Sequence, residues 1–262
     1  MQPPSTPRIE SIHFLVDGVD VYARTAATGE RVPVVLVHGI GVSSRYMLPT
    51  MEALAATHDV YAPDLPGFGR SGRPDRFLDV AGLARALCQW IEAAGLDSPD
   101  LVANSFGCQV TLQLAASHPE RVARAVLIGP TTDPRARSAM GQIARWLRNA
   151  PHEPPALGLV VARDYLDAGP RRILATFRAA LADPLTERLA RIDAPVLVVR
   201  GERDAIVPER WASELTESLP DARLVTIPDH AHTLNYSAPR ELARAIRPFL
   251  AAPVPAPAAR PR

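Results

Sequence analysis

Lysine is absent: all 29 basic residues of this 262-residue chain are arginine. Lysine Schiff bases, pyridoxal-phosphate attachment, the phosphate-loop lysine and the strand lysine of protein kinases are thereby excluded. A charge excess of either sign is also missing. The arginines face 28 acids, for a net charge of +1, so bulk electrostatics favours neither nucleic acid nor an anionic membrane as partner. Cysteine is scarce. Cys88 and Cys108 are the only two, each in apolar helical surroundings, and they read as buried free thiols, with no Cys/His spacing for zinc. No apolar run reaches the ~20 residues that span a bilayer. Met1–Pro7 lacks the charged and apolar regions of a signal peptide. The expectation is a soluble cytoplasmic protein acting on a small molecule, without nucleic acid, membrane, metal or cofactor.

What the chain does have is core material. Hydrophobic residues make up 47% against 22% charged, enough to bury a sizeable interior. Short apolar runs at 9–16, 19–22, 34–37, 60–62, 101–103, 125–128, 196–199 and 224–227 alternate with helical patterns at 79–94, 106–117, 209–218 and 238–250. This rhythm predicts a mostly parallel sheet of about eight strands with helices on both faces. The first two runs form a hairpin around Asp17-Gly18. Proline-rich ends, 1–8 and 251–262, read as extended tails.

One stretch breaks the rhythm. Some seventy residues after Ile128 lack a strand and carry helical patterns at 139–149 and 171–182, interrupted by prolines. The expected organisation is a core at 9–130 and 186–250 with a helical lid at 131–185. Residues 131–191 hold ten arginines against six acids, a net +4, and the remainder of the chain is −3. Two readings stand: solvated helix faces, or attraction of an anionic substrate to the mouth of a site.

The chemistry concentrates at strand ends. Leu101-Val102-Ala103-Asn104-Ser105-Phe106-Gly107 runs from a buried strand through a serine into a helix, the context of a nucleophile elbow. The helix start aims N–H groups at a developing oxyanion. Gly107 supplies the small residue such a turn needs, and Ala103 stands where glycine is usual. His38-Gly39-Ile40-Gly41 follows an earlier strand and can present the Ile40 N–H as a second donor, with His38 structural. Asp64 to Ser71 reads as a structural loop. A serine needs a base, and the base an orienting acid. Asp204 follows one late strand, with Glu202 and Asp133 as rivals. Beyond the last strand His230 and His232 compete, and His232 is preferred because the small Ala231 permits a tight loop.

Over roughly residues 9–250 these loops, in this order, resemble the α/β-hydrolase superfamily. The resemblance implies Ser105 as nucleophile, His232 as general base, Asp204 as its partner, and the Ile40 and Phe106 N–H groups as the oxyanion hole. It implies a serine hydrolase of carboxylic esters, lactones or thioesters with a small hydrophobic substrate. The serine argues against the superfamily's epoxide hydrolases and haloalkane dehalogenases, which use aspartate at the elbow. Asn104-Ser105 is also similar to C–C bond hydrolases of ring-fission dienoates. Those commonly read Gly-Asn-Ser-Met-Gly-Gly, so Ala103, Phe106 and Cys108 depart, as does Thr233-Leu234-Asn235-Tyr236, where a tryptophan is common. A non-hydrolytic binder or cyclase on the same fold is the remaining alternative. Trp146, Tyr165 and Phe177, with Leu157 and Leu159, are the candidates to line the substrate pocket.

Overall fold

The computed structural model describes residues 8–253, so of the tails expected at 1–8 and 251–262 all but residues 8 and 251–253 lie outside the described residues. The chain runs β1 (Glu10–Val16), β2 (Val19–Ala26), β3 (Pro33–Val37), α1 (Ser44–Leu54), β4 (Asp59–Pro63), α2 (Val80–Ala93), β5 (Asp100–Asn104), α3 (Phe106–Ser117) and β6 (Arg124–Ile128). Then come α4 (Ala139–Asn149), α5 (Pro155–Ala168), α6 (Pro170–Ala182), β7 (Val196–Gly201), α7 (Glu209–Glu217), β8 (Ala222–Ile227), α8 (Leu234–Ser237) and α9 (Pro239–Leu250). The eight strands form one sheet in the order β1-β2-β4-β3-β5-β6-β7-β8. β2 pairs antiparallel with both β1 and β4, and the remaining pairs, from β4-β3 through β7-β8, are parallel. Positive φ at both Asp17 and Gly18 closes the first hairpin.

The apolar runs lack polar alternation because both sheet faces are covered. Val35 and Val37 of β3 join a cluster with Leu83, Leu87 and Trp90 of α2, Leu112 of α3 and Trp211 of α7. Val34 and Leu36 join the opposite one, with Met47 and Met51 of α1 and Leu242 and Ile246 of α9. Period-two alternation thus sends successive side chains into two cores. Each large aliphatic so buried contributes about 1.5–3 kcal/mol.

Three helices escape the sequence reading, the short α8 and two that do so through proline. Pro49 lies inside α1, where it removes one backbone donor, and α1 persists because Tyr46, Met47, Met51 and Leu54 are buried on one side. Pro155, which reads as an interruption, is the first residue of α5, where a missing N–H costs nothing. Between β6 and β7, therefore, the inserted segment has three helices, α4 to α6. It is held to the rest of the molecule by buried ions. Asp164 of α5 is 0% exposed and accepts from Ser43 Oγ at 2.8 Å and from the Arg45 guanidinium. Asp133 accepts from Arg145 of α4 at 2.9 Å and from Arg210 of α7 at 2.6 Å. Among the described residues, no helix is long and apolar enough to cross a membrane.

Candidate active site

Parallel strands end together, so the loops after β3, β5, β6, β7 and β8 meet at one sheet edge. Ser105 follows β5 with φ 56° and ψ −121°, a conformation that costs a non-glycine residue on the order of 1–3 kcal/mol. The surroundings enforce it. The Ser105 amide donates to Ile128 O of β6 at 2.9 Å. A Cβ on Gly107 would lie 2.5 Å from Val37 O and 2.6 Å from His38 O, so only glycine lets α3 start this close to β3. Ala103, by contrast, fits inside the core with 0% exposure. Phe106 is the first residue of α3, and its N–H has no intrahelical acceptor.

His232 and Asp204 meet across two loops. Nδ1 of His232 lies 2.9 Å from Asp204 Oδ2, while Asp204 Oδ1 accepts from the Ile206 and Val207 amides at 2.8 and 2.9 Å. Three acceptor roles leave the carboxylate immobile and fix the imidazole with its Nδ1–H toward the acid. Nε2 is buried and has no hydrogen-bond partner among the described residues. Burial lowers the proton affinity of His232, but Asp204 beside it, helped by Glu153, raises the pKa above the ordinary imidazole value overall. Gly129, at the end of β6, has φ +54°, and a Cβ there would stand 2.7 Å from His232 Nδ1 and 3.2 Å from Asp204 Oδ2.

The rival residues are engaged elsewhere. Asp133 belongs to the arginine pair described above. Glu202 accepts from the Asp229 amide at 3.1 Å. His230 gives its carbonyl to the Arg203 amide. His38 accepts from the Leu65 amide on Nε2 at 2.9 Å and donates from Nδ1 to Gly39 O at 2.9 Å, the bonding of a structural histidine. Cys88 and Cys108 are free and buried, and burial pushes both thiols up, so neither is a ready nucleophile. Among the described residues no group of three His, Cys, Asp or Glu side chains is placed to hold a metal ion.

Ser105, Ile40 and His232 line one cavity of about 510 Å³, together with Trp146, Leu157 and Tyr165 from the inserted helices. Phe177 and Leu159 are corrections to the pocket expected from the sequence. Phe177 is half-buried on α6 and is not among the lining residues. α6 turns back at Gly169 and packs by Ala180 against Gln109 of α3. Leu159 is 77% exposed. Among the described residues, no arginine lines the cavity. Arg135, Arg145 and Arg188 are paired with acids, and Arg163, Arg171 and Arg178 are exposed, so most of the inserted segment's positive charge is that of solvated and ion-paired faces.

Beside Asn104 of the elbow, three further residues, Tyr46, Asn149 and Glu153, shape the site without a sequence signal that marks them. Tyr46 donates to Asn104 Oδ1 at 2.9 Å, and Asn104 donates to Ile128 O at 3.2 Å. Burial, then Glu153, pushes the Tyr46 phenol well above its ordinary range, so it stays a donor. Asn149, ending α4, accepts from the Ala205 amide at 3.3 Å and donates to Glu153 Oε1 at 2.8 Å. Glu153 also accepts from the Thr233 amide at 3.0 Å and from the Thr233 hydroxyl. Asn149 and Glu153 thus tie the inserted segment to the residues following both Asp204 and His232.

Residues 34–245 match the model of the Alpha/beta hydrolase family. A pimeloyl-[acyl-carrier protein] methyl ester esterase of Neisseria meningitidis is 31% identical, over 83% of this chain and 92% of its own. A Pseudomonas savastanoi protein named for carbamate hydrolysis, RutD, is 30% identical over 82% of this chain and 92% of its own. The structure of a thermophilic esterase from Thermogutta terrifontis shares the fold, with a TM-score of 0.79 at 22% identity, covering 92% of this chain and 98% of that one.

Proposed function

The chain belongs to the alpha/beta hydrolase family, and from that membership we propose that it is a serine hydrolase cleaving carboxylic esters, lactones or thioesters of a small apolar substrate through an acyl-enzyme on Ser105. The observation that carries this reading is the pairing of His232 with Asp204 at 2.9 Å in the cavity that Ser105 also lines. With Nδ1–H given to Asp204, the lone pair of His232 is on Nε2, where it takes the Ser105 proton as Oγ attacks the acyl carbon. The carbonyl oxygen, now negative, is held by the N–H groups of Ile40 and Phe106, and loss of either donor costs about 10²–10³ in rate. His232 then protonates the leaving alkoxide or thiolate. A water molecule attacks the acyl-enzyme, giving a proton to His232, which passes it to Ser105 Oγ as the carboxylic acid departs.

The cavity suits a small acyl or aryl group, since a volume of about 510 Å³ falls in the range of small-molecule sites. In this reading the inserted segment is a lid whose helices α4 and α5 cover the substrate. The cavity's apolar share comes from Ile40, Val42, Leu157, Val161 and Ile206. A C–C hydrolase of dienoates is disfavoured, because its anionic substrate would meet no arginine among the lining residues.

Release of p-nitrophenol from an acyl-chain series, compared between the wild type and Ser105→Ala, tests the proposal. Turnover in the wild type that collapses by orders of magnitude in the variant is the expected result. Turnover that survives the substitution removes Ser105 as nucleophile, and a silent wild type removes ester hydrolysis.

A further inference from the structure

Among the described residues that line the cavity, Glu153 is the one carboxylate and none is an arginine. Its three hydrogen bonds come from the Asn149 amide, the Thr233 backbone and the Thr233 hydroxyl. All three donors are neutral. Three bonds accepted from neutral donors suit a carboxylate, and among the described residues no arginine is paired with it. Its influence reaches the reacting groups, since it adds to the proton affinity of His232 and of Tyr46. The rings of Trp146, Tyr46 and Tyr165 line the same space, and aromatic faces attract cations.

Building on the hydrolase reading, we propose that Glu153 is a specificity-determining residue that sets the charge class of the substrate. The cavity takes neutral esters and esters bearing an ammonium group, and turns away esters bearing a carboxylate. Repulsion acts on a carboxylate in a space of low dielectric, and attraction on an ammonium in the same place, so the two effects add in the ratio of their rates. Glu153 also holds the loop after His232 through Thr233. That structural role would lower all rates together and leave the ratio untouched.

The experiment uses three methyl esters of similar length: methyl hexanoate, monomethyl adipate and methyl 5-(trimethylammonio)pentanoate. Methanol release is measured at low salt for the wild type, Ser105→Ala, Glu153→Gln and Glu153→Asn. Glutamine keeps a carbonyl oxygen for Thr233 while removing the charge. We expect kcat/KM for the ammonium ester to exceed that for the carboxylate ester by at least about tenfold in the wild type. That ratio should fall toward one in the amide variants, whatever happens to the neutral ester. A wild-type ratio near one overturns the proposal, and so does a large ratio that persists without the carboxylate. Calorimetric titration of the wild type and Glu153→Gln with pentyltrimethylammonium and with hexanoate reads the same preference without turnover. Tighter wild-type binding of the ammonium ion, lost in the variant, supports the role of Glu153 even if no ester is hydrolysed and the hydrolase reading fails. Equal binding of the two ions sinks it.

Discussion

Gly129 and His232 occupy one another's space: a Cβ on Gly129 would lie 2.7 Å from Nδ1 and 2.8 Å from Cε1 of the imidazole. The glycine comes directly after β6, with φ +54°, and only a residue without a side chain lets the His232 loop fold down over that strand end. The partner of the imidazole, Asp204, stands 3.2 Å from the same point. The β6 terminus is therefore the floor on which Asp204 and His232 meet.

Gly129→Ala should consequently lower kcat by about tenfold or more. The added methyl displaces the imidazole from Asp204, and misplacement of a catalytic group by about 1 Å costs on the order of 10²-fold. The left-handed backbone adds about 1–2 kcal/mol of strain. Kinetics on esters together with a thermal melt separates the two effects. A variant that is less stable but catalytically intact would contradict the placement of His232.

The pH dependence of kcat/KM follows from the His232 environment. Burial lowers its pKa, and Asp204 together with Glu153 raises it further than burial lowers it. The base must be neutral to act, so activity should disappear as pH falls through a midpoint above about 6.5, the ordinary imidazole value. Stability runs the other way. A raised folded pKa gives a contribution that is fully present below about 6.5 and is lost as pH rises through the folded value. Asp204→Asn removes the strongest raising influence. Its residual activity should show an acid limb moved to lower pH, with kcat down on the order of 10⁴. An unmoved limb would mean that another group titrates.

Arg45→Met should destabilise the fold by about 3 kcal/mol, because it leaves Asp164 buried with only Ser43 for company. Urea unfolding measures the loss. Adding Asp164→Asn should restore part of it, since the remaining group is then neutral. A double variant no more stable than Arg45→Met would show that the pair contributes nothing through charge.

Much of the architecture was legible in the sequence, and the reason is local. A strand covered on both faces must be apolar at successive positions, so the runs at 34–37, 101–103, 125–128 and 196–199 announced themselves, and the turns between them were marked by glycine and proline. Ser105 stood out because it comes just after the run at 101–103, and Asp204 and His232 because they lie in the loops after β7 and β8. Where a strand ends is a property of the sequence, and the ends of parallel strands share one edge.

The tertiary structure decided what depends on how the inserted segment crosses that edge. Amphipathic periodicity says which face of α4, α5 and α6 is apolar, but not what that face lies against. Trp146 and Tyr165 therefore line the cavity and Phe177 does not, although all three are aromatic residues on inserted helices. Asn149 and Glu153, unmarked by any local pattern, reach Ala205 and Thr233 across 56 and 80 residues of chain. Gly129 needs its open backbone only because His232, 103 positions away, comes to rest above it. Such contacts are made by chain segments that meet only after the sheet has formed, and nothing in their immediate neighbours encodes the meeting.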